Sequence, residues 1–377
     1  MLHKADYVDE GVPLVNPTNM VNNRIVLDRS MLISETTRNR LSRYILREGD
    51  IVVARRGEIG RCAIVGPEEA GWLCGTGSFF IRPLPQTSPQ FLTYQLLSPK
   101  YRERLEAAST GTTMKNLSNT TLSELQISLP PLPEQQRIVA LLDDAFEGIA
   151  TAKTNAEKNL KNARELFESH LQAVFTQRGE GWEETTLGEV CDFKGGGTPS
   201  KAVERYWQGN IPWVSPKDMK FEVVSDSIDH ISEEAIKNSA TSLIPEGAVL
   251  IVVRSGILAR IVPVALAGRE LTINQDLKAL CPKSMVEPRF LYCLLESMMP
   301  VLLSMVTRGA TVHRLMTDQI RALAFPLPPR AAQQSIIERV DLMRDETQRL
   351  EAIYQQKLAA LDELKKSLLH KAFSGEL

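Results

Sequence analysis

Leu129-Pro130-Pro131-Leu132-Pro133-Glu134-Gln135-Gln136-Arg137-Ile138 is the stretch on which the fold turns, because it returns 198 residues later as Leu327-Pro328-Pro329, Gln333-Gln334 and Ile336. The prolines stop whatever precedes them. Pro133 suits a first helical turn, where its missing N–H would have no partner anyway. From Ile138 the small and apolar residues run at 4-3 spacing through Leu142, Ala145, Ile149, Ala152, Ala156, Asn159, Ala163, Leu166, His170 and Ala173. The second copy runs from Ile336 through Val340, Met343, Thr347, Leu350, Tyr354, Lys357, Leu361, Leu364 and Leu368. Such spacing over five heptads predicts two long helices with a coiled-coil seam. The first, Pro133–Phe175, would be about 65 Å long at ~1.5 Å per residue.

Working outward, the same offset joins Glu48-Gly49-Asp50-Ile51-Val52-Val53 to Glu246-Gly247-Ala248-Val249-Leu250-Ile251. It also joins Thr110-Gly111-Thr112-Thr113 to Arg308-Gly309-Ala310-Thr311, and Phe175-Thr176 to Phe373-Ser374. Val12-Pro13-Leu14-Val15 meets Ile211-Pro212-Trp213-Val214 one residue later, at 199. The chain therefore reads as two copies of one unit, each a mixed part of short β-branched runs followed by a long helix. The expected architecture is α+β, with two mixed α/β domains (1–128 and 179–327) and two spacer helices (129–178 and 328–377). Helix one ends near Thr176 and the second mixed part opens at Trp182, so antiparallel pairing, with a pseudo-two-fold relation between the copies, spares the chain a long return.

Composition excludes several classes. The 377 residues are 43% hydrophobic and 24% charged, which argues against disorder. Mean hydropathy is -0.15, and no apolar run reaches the ~18 residues that span a bilayer. Met1–Glu10 carries acids and no apolar core, so no secretion signal is expected. Cys62, Cys74, Cys191, Cys281 and Cys293 include no CxxC pair, which suits reduced thiols and a cytoplasmic location. Net charge is -2, with +2 on residues 1–128 and -2 on residues 182–327. Bulk charge would not coat nucleic acid, so any such contact is local.

No catalytic pattern stands up. Gly195-Gly196-Gly197-Thr198-Pro199-Ser200-Lys201 lacks the order of a phosphate loop and reads as a flexible turn. Gly75-Thr76-Gly77 lacks the third glycine of a dinucleotide fingerprint. Asn16-Pro17-Thr18 resembles the start of an amino-methyltransferase motif, but no aromatic follows and its repeat partner is Ser215-Pro216-Lys217. The histidines (His3, His170, His230, His313, His370) show no ligand spacing. Asp143-Asp144 point different ways on a helix and read as a solvated face.

What repeats is basic. Arg56-Gly57-Glu58-Ile59-Gly60-Arg61 follows the first strong strand, and Arg254-Ser255-Gly256-Ile257-Leu258-Ala259-Arg260 the second. Both read as strand, glycine turn, strand, with arginines flanking the tip. Seven arginines (Arg38, Arg40, Arg43, Arg47, Arg55, Arg56, Arg61) lie within 24 residues. A second repeated cluster is Thr112-Thr113-Met114-Lys115-Asn116-Leu117 with Ala310-Thr311-Val312-His313-Arg314-Leu315. Arginine forks onto guanine O6/N7 or clamps phosphate, and a hairpin tip fits a major groove. Two readings stay open at this point: local DNA contact, and solvated turns.

The Leu129–Ile138 run, its copy at Leu327, the ending Ala372-Phe373-Ser374-Gly375-Glu376-Leu377 and the opening Trp182-Glu183-Glu184-Thr185-Thr186-Leu187-Gly188-Glu189-Val190 together resemble the specificity (S) subunits of type I restriction–modification systems. The resemblance covers nearly the whole chain. It implies two target recognition domains, each reading half of a bipartite site in double-stranded DNA. It implies helices that fix the gap and dock two methyltransferase subunits, with restriction (motor/nuclease) subunits joining them and no membrane involved. It also implies a subunit that is not itself catalytic and binds no cofactor, with S-adenosylmethionine, ATP and Mg belonging to the partners. With the repeated loops it gives DNA-contact candidates Arg55, Arg56, Arg61, Lys115, Asn116, Lys194, Lys217, Arg254, Arg260, His313 and Arg314. The spacer-helix candidates are Ile138, Leu142, Ile149, Leu166, Ile336, Val340, Leu350, Leu361 and Leu368. The rival class is a coiled-coil scaffold or protein-interaction module. One departure stands out. Trp182–Gly209, read as a strand (Thr185–Phe193) and a glycine-rich loop, has no counterpart in the first copy, which begins eleven residues before Val12. The first domain is therefore expected to be the weaker and the sooner cut by protease.

Overall fold

The computed structural model describes residues 3, 6–109 and 116–376. Contacts divide the chain into two compact units, Met1–Lys158 with Tyr354–Leu377, and Asn159–Ile353. Each long helix therefore contributes to both.

In the first unit β1 (Val12–Val15) pairs antiparallel with Leu32–Ile33. The central strand β2 (Ile51–Ala54) is wholly buried, as its unbroken Ile-Val-Val-Ala run dictates. It pairs antiparallel with β3 (Cys62–Ile64) on one side. β4 (Leu73–Cys74) runs parallel to β1. β5 (Ser78–Ile81) takes the other edge of β2. Helix α1 (Pro89–Leu97), started by Ser88 accepting the Phe91 N–H, lies against this sheet. The long helix α2 follows (Leu132–Thr176, 45 residues).

The second unit opens with β6 (Glu183–Thr186) and continues to β7 (Cys191–Gly195). The strand expected over Thr185–Phe193 is thus broken by a helical turn, Leu187–Val190. The reason is local: Glu189 reaches back to the Thr186 N–H (2.9 Å) and closes a capping box. Then come β8 (Ile211–Val214), β9 (Val223–Val224), β10 (Val249–Val252), β11 (Arg254–Ser255), β12 (Val264–Ala267), β13 (Thr272–Ile273) and β14 (Leu277–Pro282). Helix α3 (Pro288–Ser297), β15 (His313–Arg314), β16 (Ala324–Leu327) and the long helix α4 (Arg330–Ser374, 45 residues) complete the order. The main sheet is β7-β14-β10-β12-β9, and β8 with β13 repeats the parallel pair β1 with β4. The corresponding first-unit sheet is β3-β2-β5. Among the described residues no strand lies on the free edge of β5, where β7 covers β14 in the second unit. A 470 Å³ cavity lined by Phe79, Leu92, Leu122 and Leu125 lies there instead.

The glycine-rich run is not merely flexible. A Cβ at Gly196 would sit 2.0 Å from the Ile273 carbonyl oxygen, so glycine is required by close backbone approach. The Gly197 carbonyl accepts from Trp213 Nε1 (2.9 Å) and Thr241 Oγ1 (3.0 Å), which pins the run to β8.

The helices pair antiparallel, and each unit shows it. In the first, Phe91 and Tyr94 of α1 pack with Ile138 and Leu142 of α2 and with Leu369, Ala372 and Phe373 of α4. In the second, Phe290 packs with Leu171, Val174 and Phe175 at the end of α2 and with Ile336 and Val340 at the start of α4. Phe91–Phe373 centroids are 5.3 Å apart and Phe175–Phe290 5.4 Å, one contact made twice. Ile138, Leu142 and Ile149 are buried, and Leu350, Leu361 and Leu368 are half-buried along the same face. Leu166 is the exception. It is 69% exposed, and Phe167 takes its place in the core. A straight helix drifts ~20° per heptad against a 3.5 repeat. Four heptads separate Ile138 from Leu166, and ~80° of drift is nearly one residue's turn. Leu364, four heptads after Ile336, is exposed for the same reason. His170, placed on the seam by strict heptads, is likewise exposed.

Candidate nucleic-acid interface

The two basic clusters that the sequence offers separately are one feature. In the second unit β11 and β15 form a short antiparallel ladder, with Arg254 opposite Arg314 and Ser255 opposite His313. The Leu315 N–H donates to the Val253 carbonyl at 2.9 Å. In the first unit Arg56 bridges Asn116, and the Leu117 N–H donates to the Arg55 carbonyl at 2.9 Å. All four positions keep the 198 offset. Buried Leu117 and Leu315 anchor the returning segment, so half-buried Asn116 and exposed Arg314 just before them meet the residues that follow the central strand.

In the first unit β2 and β3 form the expected hairpin. Its connection needs left-handed backbone at Gly57 (φ +74°) and Gly60 (φ +79°), which glycine adopts without strain. Arg56 is exposed at the tip. The Arg55 guanidinium lies over Phe79, 4.6 Å from the ring centroid, with Nε 3.3 Å from Asn116 Oδ1. Arg61 is engaged within the unit. Its guanidinium is ion-paired with Glu58 and also donates to the Pro17 (3.3 Å) and Met20 (3.4 Å) carbonyls. Glu58 also takes Arg102 at 2.7 Å. The hydrogen bonds from Arg61, then Arg102, hold the Glu58 carboxyl below its usual range. Arg61 is a strut between the hairpin and the turn after β1. The apparent run of seven arginines disperses in the same way: Arg38 donates to the Gly71 carbonyl and Arg40 pairs with Asp6. Lys115 lies outside the described residues.

In the second unit the connection after β11 is a 3-10 turn, Gly256–Ala259, with exposed Arg260 capping its end. Arg254 Nε sits 2.8 Å from Asp276 Oδ1. Arg314 is exposed beside it. Two arginines directly across a ladder repel, and a single carboxylate offsets only part of that. Thr307 and Arg314 exchange both backbone hydrogen bonds (2.8 and 3.0 Å), which closes a protruding loop, Arg308–His313. His313 Nδ1 accepts from the Gly309 N–H at 3.3 Å. Lys217 is exposed in the turn after β8, and Lys194 on β7 donates to the Leu243 carbonyl. Neither lysine is part of the Arg254–Arg314 ladder. Asn16, the start of the methyltransferase-like triplet, is structural: its N–H donates to Asn19 Oδ1 at 2.8 Å in the turn after β1.

What sequence reading passed over is the second glutamine-pair member's neighbour, the buried one. Gln135 and Gln333 are both fully buried. Gln135 Oε1 accepts the Ser88 N–H (2.8 Å), and its Nε2 donates to the Gln86 (3.0 Å) and Pro130 (2.8 Å) carbonyls. Gln333 does the same with the Glu287 N–H and the Met285 and Pro328 carbonyls, all at 2.9 Å. Each glutamine ties the first turn of a long helix to the loop that opens α1 or α3. Asp143, read as solvated, accepts the Tyr94 hydroxyl and adds to the same junction.

Among the described residues no helix is long and apolar enough to cross a membrane, and all five cysteines are free. The fold and the repeat meet in one family. The type I restriction modification DNA specificity domain matches residues 1–162 and again 179–359, and the chain belongs to that family. It is 35% identical over 232 residues to the specificity subunit of the type I restriction enzyme EcoR124I/EcoR124II of Escherichia coli, covering 60% of this chain and 56% of that one. It is 31% identical to the MjaIX specificity subunit of Methanocaldococcus jannaschii over 41% of this chain and 36% of that one. The chain thus spans about half the length, or less, of these curated relatives. Among solved structures, a chain from a type I restriction–modification complex superposes with TM-score 0.76 at 26% identity, covering 88% of this chain and 83% of that one. The HsdS subunit of Thermoanaerobacter tengcongensis superposes with TM-score 0.65 at 25% identity, over 97% and 90%.

Proposed function

We propose that this chain is the DNA specificity subunit of a type I restriction–modification complex. Each unit reads one half of a bipartite site through the residues that meet beside its central strand, joined in the second unit by the loop Arg308–His313. The single observation that carries this is one strand contact made twice under one offset, a bridge of Arg56 with Asn116 in the first unit and a ladder of Arg254 with Arg314 in the second. The facing arginines favour an anion or a base edge between them. Arginine supplies a planar fork for guanine O6/N7 or for phosphate, and asparagine a donor–acceptor pair for adenine. A net charge of -2 leaves the remaining surface without general affinity for DNA, which favours a local reader over a coating protein.

The paired helices α2 and α4 act as the spacer between half-sites and as the docking surface for methyltransferase subunits. Adenine methylation and ATP-dependent cleavage reside in those partners and in restriction subunits, together with S-adenosylmethionine, ATP and Mg. The chain itself works in the cytoplasm and performs no chemistry. The test is methylation mapping of DNA from cells that express this chain with its cognate methyltransferase. A bipartite site whose halves change independently under first-unit and second-unit loop substitutions is the expected result. Methylation at a site unaffected by either set would overturn the reading.

A further inference from the structure

The helix pair carries two ion pairs between α2 and α4. Lys153 Nζ meets Asp362 Oδ1 at 2.8 Å in the first unit, and Arg164 Nε meets Glu351 Oε1 at 2.7 Å in the second. Under the 198 offset residue 153 corresponds to 351 and 164 to 362. The two pairs therefore occupy one and the same contact, made once in each unit with the signs exchanged. Both cations lie on α2 and both anions on α4. A second contact behaves alike. Lys365 Nζ lies 4.9 Å from the Phe146 ring centroid in the first unit, and the Arg344 guanidinium 5.2 Å from that of Phe167 in the second. Residues 146 and 344 correspond, as do 167 and 365. Here α2 supplies both rings and α4 both cations.

The consequence appears when a helix is set against a copy of itself in the same antiparallel register. Two α2 helices would face Lys153 with Arg164 twice. Two α4 helices would face Glu351 with Asp362 twice and Arg344 with Lys365 twice. The apolar seam is alike only where Ile138 and Leu142 match Ile336 and Val340; farther along, the small Ala152, Ala156 and Ala163 of α2 correspond to the larger Leu350, Tyr354 and Leu361 of α4, so residue size also favours the mixed pair and charge acts in addition to it. Charge at flanking positions is what sets partner choice in coiled coils, and like-charge facings act against the wrong partner.

We propose that these positions form a pairing code that selects α2 with α4 over α2 with α2 and α4 with α4. A protein made by duplication, each half of which would otherwise fit itself, is thereby confined to uniting its unlike halves. The inference stands on the two helices alone and does not depend on what the units read.

The test cuts the full, folded chain at a protease site placed in the Gln177–Gly181 connection, so that each fragment keeps one long helix. After brief mild denaturation and dilution, native mass spectrometry counts mixed and like pairs. Random association gives half mixed pairs; the wild type should favour mixed pairs by about tenfold, the scale of a few partly exposed charge contacts. Lys153→Glu with Asp362→Lys keeps an opposite-charge pair in the first unit but places opposite charges in the α2 with α2 contact as well. Uncut, this variant should melt with the wild type; cut, its excess of mixed pairs should fall severalfold. Equal distributions for wild type and variant, random proportions in the wild type, or fragments that stay unpaired would each overturn the code.

Discussion

Replacing Gln333 with methionine keeps the side chain's length and removes its three hydrogen bonds. The Pro328 carbonyl is buried with the glutamine, while the Met285 carbonyl and Glu287 N–H are partly reached by water. An orphaned buried group costs about 1–3 kcal/mol. Taking about 2 for the first and about 1 for the other two together gives a loss near 3 kcal/mol, against a typical total of about 5–15 kcal/mol. For a unit of this size each kcal/mol lowers Tm by about 2–4 °C, so the transition of the second unit should fall by roughly 6–12 °C. Differential scanning calorimetry on the whole chain reads it, with Gln334→Met as control, since Gln334 is exposed and its side chain bonds Glu338 (3.2 Å) on the helix surface. Gln135→Met should lower the first unit's transition in the same way, and the double variant should show both falls. If Gln333→Met melts within a degree of the wild type, or no lower than Gln334→Met, the buried glutamine is not a clamp.

In the assembled complex Arg314→Ala should weaken binding of the second half-site by about 1–3 kcal/mol and relax one base preference. Arg61→Ala should lower the first unit's Tm without altering preference, as read by anisotropy with half-site-substituted duplexes. One heptad inserted after Lys158 and one after Gln356, midway between the two interhelical ion pairs on both helices, keeps those pairs. It should widen the methylated gap by ~10 Å, or about three base pairs, with unchanged half-sites. A native chain at pH 8 should leave four thiols unreacted with a disulfide reagent. Burial raises Cys62, Cys74 and Cys191 to about 12 and Cys293 to about 11, so almost no thiolate is present. Outward N–H groups of β5 should exchange at least tenfold faster than those of β14, which is paired on both edges, and protease should cut residues 1–128 first.

The offset of 198 made the two helices, their antiparallel pairing and the central strands legible, because period and proline position are local signals. Leu166 was misplaced because strict heptads ignore a drift that accumulates silently over four turns of the repeat. The seven arginines looked alike in sequence, yet Arg61, Arg40 and Arg38 each find a partner 33 to 44 residues away. Spacing carries no information about such long-range pairing. That the two basic clusters form one ladder was implicit in their common offset. It became visible only once Leu117 and Leu315 were seen to anchor both.

The first unit closes with residues 354–377, whereas the second is one continuous stretch, 159–353. Order of synthesis is therefore not order of completion. Phe91, Tyr94, Ile138 and Leu142 leave the ribosome early, but Phe373, which covers them, is made more than 200 residues after Leu142. At ~5–20 residues per second that is a wait of roughly 10–50 s. The domain born first is finished last, and through that interval its apolar face is what a chaperone would meet.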